Sequence, residues 1–223
     1  QMYDYYLDPN ACLYGLRSGS EMLHSMYNPV DGMVSIANNG FQQKTDLMLV
    51  ATSYDMKGKS KLLNQIFCYV EPSTVKKISS LKPVVDALSA EEGSFLSLQL
   101  LDRNKKVVSD NFYWMPDQKG NYSGLNRMQK TTLKVSTRQL GSNKVEVTLF
   151  NSAQNPVAFF NRISLVDAGT KQRILPAFYD DNYVSLPPGA EKKVVVEYTP
   201  ESGKKYGITI SGWNVEASYT DVQ

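Results

Sequence analysis

Histidine and cysteine are scarce, with one His and two Cys in 223 residues. A zinc centre draws about four nitrogen, sulfur or oxygen ligands, and a Ser-His-Asp or Cys-His arrangement would have to rest on His24 alone. His24, in Met22-Leu23-His24-Ser25-Met26-Tyr27, is therefore read as a structural or surface residue, and no metal site is expected. Cys12 and Cys68 permit one disulfide at most; two separate buried thiols behaving as small hydrophobes is the favoured reading. An excess of either charge is also lacking: Lys+Arg 24 against Asp+Glu 22 leaves +2. That balance is too even for a nucleic-acid or anionic-membrane partner recruited by charge. No apolar run approaches the roughly 18–20 residues of a membrane span, and no signal peptide opens the chain. What is present is core material, 42% hydrophobic against 21% charged. Composition thus predicts a folded globular chain that is not a self-contained enzyme, with no cofactor, no nucleic-acid partner and no membrane partner.

The opening differs from the remainder. Asp8-Pro9-Asn10 offers an N-cap followed by Pro at a first helical position, and Ala11, Cys12, Leu13, Leu16 and Met22 are candidates for one side of a short helix ending near Gly19. Tyr3, Tyr5, Tyr6 and Leu7 are too apolar for a free tail, so this start is expected to be the edge of a larger protein on which those rings once packed.

From Glu21 onward the pattern is strand after strand. In Leu47 to Tyr54, Leu47, Leu49 and Ala51 share one face while Met48, Val50, Thr52 and Tyr54 share the other; Leu96, Leu98 and Leu100 alternate with Ser97 and Gln99. Met33 to Ala37, Leu62 to Val70 and Val107 to Trp114 complete a first set. Thr74 to Leu88 is ambiguous, since Pro83 opposes one uninterrupted helix. Pro116 to Asn121 reads as a linker. A second set follows: Leu133 to Thr137, Val145 to Leu149, Val157 to Val166, Arg173 to Tyr179, Val194 to Tyr198 and Tyr206 to Val215. A hairpin device recurs, with Asp closing a strand and Lys four places on, at Asp55/Lys59, Asp102/Lys106 and Asp167/Lys171. The fold expected is all-β: a barrel-exit segment with a short helix over 1–20 and two tandem antiparallel β-sandwiches of immunoglobulin-like type over 21–117 and 118–223.

The densest polar cluster is Asp180-Asp181-Asn182-Tyr183. A turn or interdomain polar contact is favoured over oxygen ligands for Ca²⁺ or a sugar contact, because neighbouring carboxylates on a strand point to opposite faces. Trp114, Trp213, Tyr113, Tyr179, Tyr183 and Tyr206 offer flat area for stacking on sugar rings, but alternation sends most of them to the core. Trp213, in Ser211-Gly212-Trp213-Asn214, is the ring expected nearest a loop.

Asn111-Phe112-Tyr113-Trp114, the run Arg173 to Gly189 containing Pro176-Ala177-Phe178-Tyr179-Asp180-Asp181-Asn182-Tyr183, and Ile210 to Asn214 resemble the C-terminal region of family 2 glycoside hydrolases, in the exo-β-glucosaminidase and β-mannosidase branch. Tyr5 to Arg17 resembles the segment by which such enzymes leave their catalytic barrel. The resemblance implies that a barrel with two catalytic glutamates precedes two further immunoglobulin-like domains, and that this chain supplies only the latter. The family's acid/base Glu follows an Asn; no Asn-Glu dipeptide occurs here, so no catalytic residue is carried over. The implied partner is the catalytic barrel of the same polypeptide, with a glycan as the other candidate, in a periplasmic or secreted bacterial parent that hydrolyses O-glycosyl bonds. Tyr179, Asp180, Asp181, Asn182, Tyr183 and Trp213 are the residues expected at a carbohydrate or interdomain contact. The alternatives are an autonomous carbohydrate-binding sandwich and an adhesion-type sandwich pair.

Overall fold

The structure, a computed structural model, describes residues 2–89 and 91–223. The chain is all-β apart from short helices and divides into two compact units. One is Arg17–Met128; the other joins the residues up to Leu16 to Gln129–Gln223. The division therefore falls after Met128 rather than after Asp117, and the opening residues belong with the second sandwich instead of forming a segment of their own.

In the first sandwich β1 (Leu23–Tyr27), β2 (Met33–Asn38) and β5 (Thr74–Ser80) form a three-stranded antiparallel sheet in the order β1-β2-β5. The second sheet runs β4 (Ser60–Val70), β3 (Lys44–Tyr54), β6 (Ser94–Leu101) and β7 (Val107–Met115). Period-2 alternation sends Leu47, Leu49 and Ala51 of β3 and Leu96, Leu98 and Leu100 of β6 into the core, against Val34 and Ile36 of the other sheet. Each of the Leu, Val and Ile side chains contributes roughly 1.5–3 kcal/mol when fully buried. The ambiguous stretch resolves into β5 followed by a short helix, Lys82–Leu88, with Pro83 in its first turn, where the missing N–H is not needed. His24 is buried on β1; its Nε2 lies 3.2 Å from the Asn111 amide, and that amide donates to the Ser25 carbonyl at 2.5 Å. Both cysteines are free, and Cys12 is exposed rather than buried, on a helix face that points away from the core.

The aspartate turns are built as the spacing predicts. Asp55 Oδ1 accepts the Lys57 and Lys59 N–H groups at 2.9 Å each, and Asp102 Oδ1 accepts those of Asn104 and Lys106 at 2.8 and 2.9 Å. Asp167 Oδ1 takes Gly169 and Thr170 at 2.9 and 2.8 Å. The same device appears at Asp117, which accepts Lys119 and Asn121 at 2.8 Å each, so Pro116–Asn121 is a closed turn and not a loose linker. A 3-10 turn, Ser123–Arg127, follows, with Gly124 against the Glu92 backbone.

The second sandwich has two four-stranded antiparallel sheets. One runs β12 (Val184–Leu186), β10 (Ala158–Asp167), β14 (Tyr206–Ser211) and β15 (Ser218–Asp221). The other runs β11 (Ala177–Tyr179), β13 (Glu191–Tyr198), β9 (Lys144–Phe150) and β8 (Lys134–Gly141). Val145, Val147, Leu149, Val194 and Val196 pack across from Ile163, Leu165, Ile208 and Ile210. The strand expected over Arg173–Tyr179 shrinks to Ala177–Tyr179: Arg173 makes a single bridge to Val166, and Pro176, without an N–H, precedes the start of pairing.

A Cβ at Gly124 would overlap the Glu92 carbonyl oxygen, and a backbone neighbour cannot swing aside. Gly124→Ala should therefore destabilise the first sandwich by about 1–3 kcal/mol. The two tryptophans fall one to each unit, so urea unfolding followed by Trp114 fluorescence in a Trp213→Phe background isolates that transition; an unchanged midpoint would contradict the packing described.

Candidate functional site

The site begins with the opening residues. Asp4 Oδ1 accepts the N–H groups of Tyr6 and Asp8 at 2.8 and 3.0 Å, and Leu7 turns through a left-handed φ of 62° with its N–H on the Asp4 carbonyl. This tight loop presents Asp8 inward. Asn10 caps the helix α1 (Ala11–Gly19): its Oδ1 accepts the Cys12 N–H at 3.1 Å. The cap is thus Asn10 and not Asp8, which leaves the Asp8 carboxylate for another task. It is 8% exposed, and one of its oxygens accepts from both Arg162 Nη2, on β10, and Arg173 Nη1. Two guanidinium groups on one largely buried carboxylate form a charge-assisted clamp between the opening loop and the second sandwich.

Beside the clamp lies an aromatic row. Tyr14 is the buried residue of α1, with Leu13 partly buried beside it, whereas Leu16 and Met22 are exposed. The Tyr14 ring lies 6.1 Å from Tyr183, and Tyr183 lies 5.4 Å from Phe160. Phe160 and Tyr183 both sit in the left-handed region, at φ 56° and 55°. That costs an L-residue roughly 1–2 kcal/mol each. The surroundings fix both: the β10/β12 register breaks between Ala158 and Asn161, and Asn161 Nδ2 donates to the Ala158 and Val184 carbonyls at 2.7 and 2.9 Å. Asn182 acts as a substitute strand residue, its Oδ1 accepting the Ile163 N–H at 2.8 Å and its Nδ2 donating to the Ile163 carbonyl at 2.9 Å.

The six residues singled out by sequence take separate roles. Tyr179 is buried, its oxygen accepting the Leu165 N–H at 2.9 Å. Asp180 Oδ1 accepts the Val195 N–H at 2.8 Å, and Asp181 pairs with Lys192 at 2.6 Å. Asn182 and Tyr183 join the clamp region. Trp213 is 50% exposed; its N–H donates to the Phe159 carbonyl at 2.9 Å, which ties it by backbone to the row's Phe160 neighbour. Tyr14, Phe160, Arg162 and Arg173 were not singled out by sequence, and Asp8 was read only as a helix cap. One signal existed: Arg162 interrupts the apolar strand Phe159-Phe160-Asn161-Arg162-Ile163.

Electrostatically the arrangement holds its protons still. Burial pushes the Tyr179 hydroxyl up to about 12, with Asp8 adding to the rise and the Leu165 N–H and the two arginines opposing it. Burial raises Tyr14 and Tyr183 as well. The three tyrosine hydroxyls therefore stay protonated at neutral pH, beside a carboxylate that faces two arginines. Among the described residues no group of three His, Cys, Asp or Glu side chains converges as a metal site. The arrangement fastens chain to chain and displays rings.

Residues 111–215 match the family model of the exo-β-D-glucosaminidase Ig-fold domain. The chain is 28% identical over 233 residues to an exo-β-D-glucosaminidase of Arthroderma benhamiae, covering 96% of this chain and 26% of that protein. It is 27% identical to an exo-β-D-glucosaminidase of Amycolatopsis orientalis, covering 96% and 23%. It thus spans about a quarter of the length of these relatives. The crystal structure of the Amycolatopsis orientalis exo-chitosanase shares the fold at a TM-score of 0.84 and 24% identity, over 100% of this chain and 29% of that one.

Asp8→Asn would leave two arginines facing a neutral amide, and should lower the stability of the second sandwich by about 1–3 kcal/mol, between the ranges for exposed and buried pairs. Trp213 fluorescence during urea unfolding, in a Trp114→Phe background, reads this; an unaltered midpoint would remove the clamp from the structure's stability. A second expectation concerns alkali. Tyr179 has a higher pKa folded than unfolded, so its contribution is intact below about pH 10 and is lost as pH rises toward about 12. Tyr179→Phe should flatten part of that fall, and a parallel pH profile for variant and wild type would refute the assignment.

Proposed function

We propose that this chain, a C-terminal immunoglobulin-like region of the exo-β-D-glucosaminidase group of glycoside hydrolase family 2, is the non-catalytic accessory part of an exo-acting glycosidase and braces the catalytic barrel of the same polypeptide. Terminal β-linked glucosamine is the favoured substrate of that enzyme, since the relatives named above are glucosaminidases. The observation that carries the reading is the Asp8 clamp: the residues that lead into the first sandwich are fastened to the second. An entering chain held this way gives a preceding domain a fixed rather than a swinging attachment. Tyr5 is 92% exposed, and its ring meets Tyr6 edge-on at 5.2 Å. Such rings supply contact area at low entropic cost where another protein surface meets them. Tyr183 and Trp213 are the residues of this chain that border the substrate cleft in this reading.

Glycan binding by the isolated chain is the second reading, favoured by the half-exposed Trp213. Calorimetry with chitosan oligosaccharides separates the two: heat that disappears in Trp213→Ala supports an autonomous binding module. The accessory reading expects no turnover of aryl β-glucosaminides by this chain and turnover by the longer polypeptide that contains it. Turnover by the chain alone, abolished by a substitution within it, would overturn the proposal.

A further inference from the structure

A sheet edge offers unpaired N–H and C=O groups to any other strand. Most edges of this chain are guarded. β1 is stitched to β7 by side chains: the Ser25 N–H donates to Ser109 Oγ at 3.1 Å, the Ser25 carbonyl accepts from Asn111 Nδ2 at 2.5 Å, and the Tyr27 N–H donates to Tyr113 Oη at 3.1 Å. β7 itself carries Asp110 and a break in its register. β8 is closed by the last residues of the chain, its Gln139 N–H donating to the Gln223 carbonyl and its Thr137 hydroxyl to the Asp221 carbonyl, both at 2.8 Å. β11 and β12 are three residues each, and β5, seven residues long, carries Lys76 and Lys77. Short strands, bulges and lysines are the devices that keep an edge from pairing.

β4 lacks these guards over most of its length. It runs for eleven residues, and among the described residues it pairs with β3 on one side and with no strand on the other. Its register with β3 skips Leu63 and is then regular from Asn64 to Cys68. The segment Asn64-Gln65-Ile66-Phe67-Cys68-Tyr69-Val70 contains no charge, no Pro and no Gly, the composition that pairs most readily as a strand. One bond reaches it from the other sheet, Asn64 Nδ2 to Ser79 Oγ at 3.1 Å, and it is made by side chains alone. Alternate residues of an antiparallel strand aim their N–H and C=O groups away from the partner already in place. The occupant such an edge fits is therefore another extended backbone.

The side chains indicate which backbone. Antiparallel pairing of this segment with itself, about a two-fold axis at Phe67, sets Gln65 opposite Tyr69 and Ile66 opposite Cys68, and brings the two Phe67 rings together. No like charges meet, which is the usual obstacle to self-pairing. The charge that reaches the segment is Lys76, whose Nζ lies 3.2 Å over the Tyr69 ring and 3.8 Å from Glu71; across the axis it would meet a glutamine. Phe67 is 80% exposed, and an aromatic cross-strand pair would cover it. A contact in which the same patch serves both partners closes at two copies.

We infer that β4 pairs edge to edge with β4 of a second copy of this chain, antiparallel about Phe67, so that two four-stranded sheets join into one of eight strands. The inference stands apart from the accessory reading above. The test compares the wild-type chain with Phe67→Glu and Phe67→Lys by sedimentation equilibrium. Phe67 is exposed, so both variants should keep the wild-type urea midpoint; Phe67→Ser repeats the comparison without added charge if they do not. The wild type should be a concentration-dependent dimer. Each variant alone should dissociate at a concentration roughly tenfold higher or more, because like charges then face each other at the axis. An equimolar mixture of the two should recover the dimer, because opposite charges then meet there. A wild-type chain that stays monomeric up to roughly 1 mM overturns the inference. A dimer indifferent to both substitutions is held elsewhere and overturns it too. So does a mixture that associates no better than either variant alone, and so does growth into fibres, since an open array is not a two-fold pair.

Discussion

The attachment of the opening residues to the second sandwich depends on one carboxylate. Asp8 is nearly buried, and burying a charge is unfavourable unless partners replace its water. Arg162 and Arg173 do so, and they stand 154 and 165 residues away along the chain. Closing loops of that length adds only slowly to the entropic cost, so the long-range clamp is thermodynamically accessible. Its consequence is topological: the opening residues, up to Leu16, belong to the second unit, which resumes at Gln129 after the first.

Beside the clamp the backbone is strained, and neighbours other than the clamp hold it. Phe160 and Tyr183 remain left-handed because neighbours on every side are committed: Asn161 to the Ala158 and Val184 carbonyls, Asn182 to both backbone groups of Ile163, and the Tyr183 ring to Tyr14 and Phe160. Strain of this size persists where the surroundings over-determine a conformation. A segment carrying buried amides instead of regular pairing is less hydrophobic than a strand, but its shape is specified more narrowly.

Much of the architecture was legible in the residues. Alternation located the core of β3 and β6 to the residue, because one face of each had to meet water-excluded neighbours. The Asp turns were legible because a carboxylate two to four residues before free N–H groups has an obvious local use. What could not be read depends on distance. Asp8 was read as a helix cap since Asn10 and Asp8 are equally good local acceptors, and only the remote arginines decide between them. The polar run 180–183 was legible as polar and not as a set of roles: Asp180 serves β13, Asp181 serves Lys192, and Asn182 serves β10. The short strand β15 escaped notice because four mixed residues carry too little periodicity; its pairing with β14 defines it.

The outer side of the β4-β3-β6-β7 sheet extends these points. Met48 and Val50 were visible in the sequence as a second apolar face, and alternation alone treats such a face as the solvent side of a half-buried strand. The registers put Met48 beside Phe67 and Leu101, and Val50 beside Gln65 and Gln99. A lone outward Val or Met is ordinary on any surface, and Phe67 and Leu62, both on the edge strand β4, are the outward apolar residues of this sheet most open to water. The second sandwich, the same architecture with ion pairs at the equivalent outward positions of its sheet, shows that nothing in the fold requires an apolar exterior.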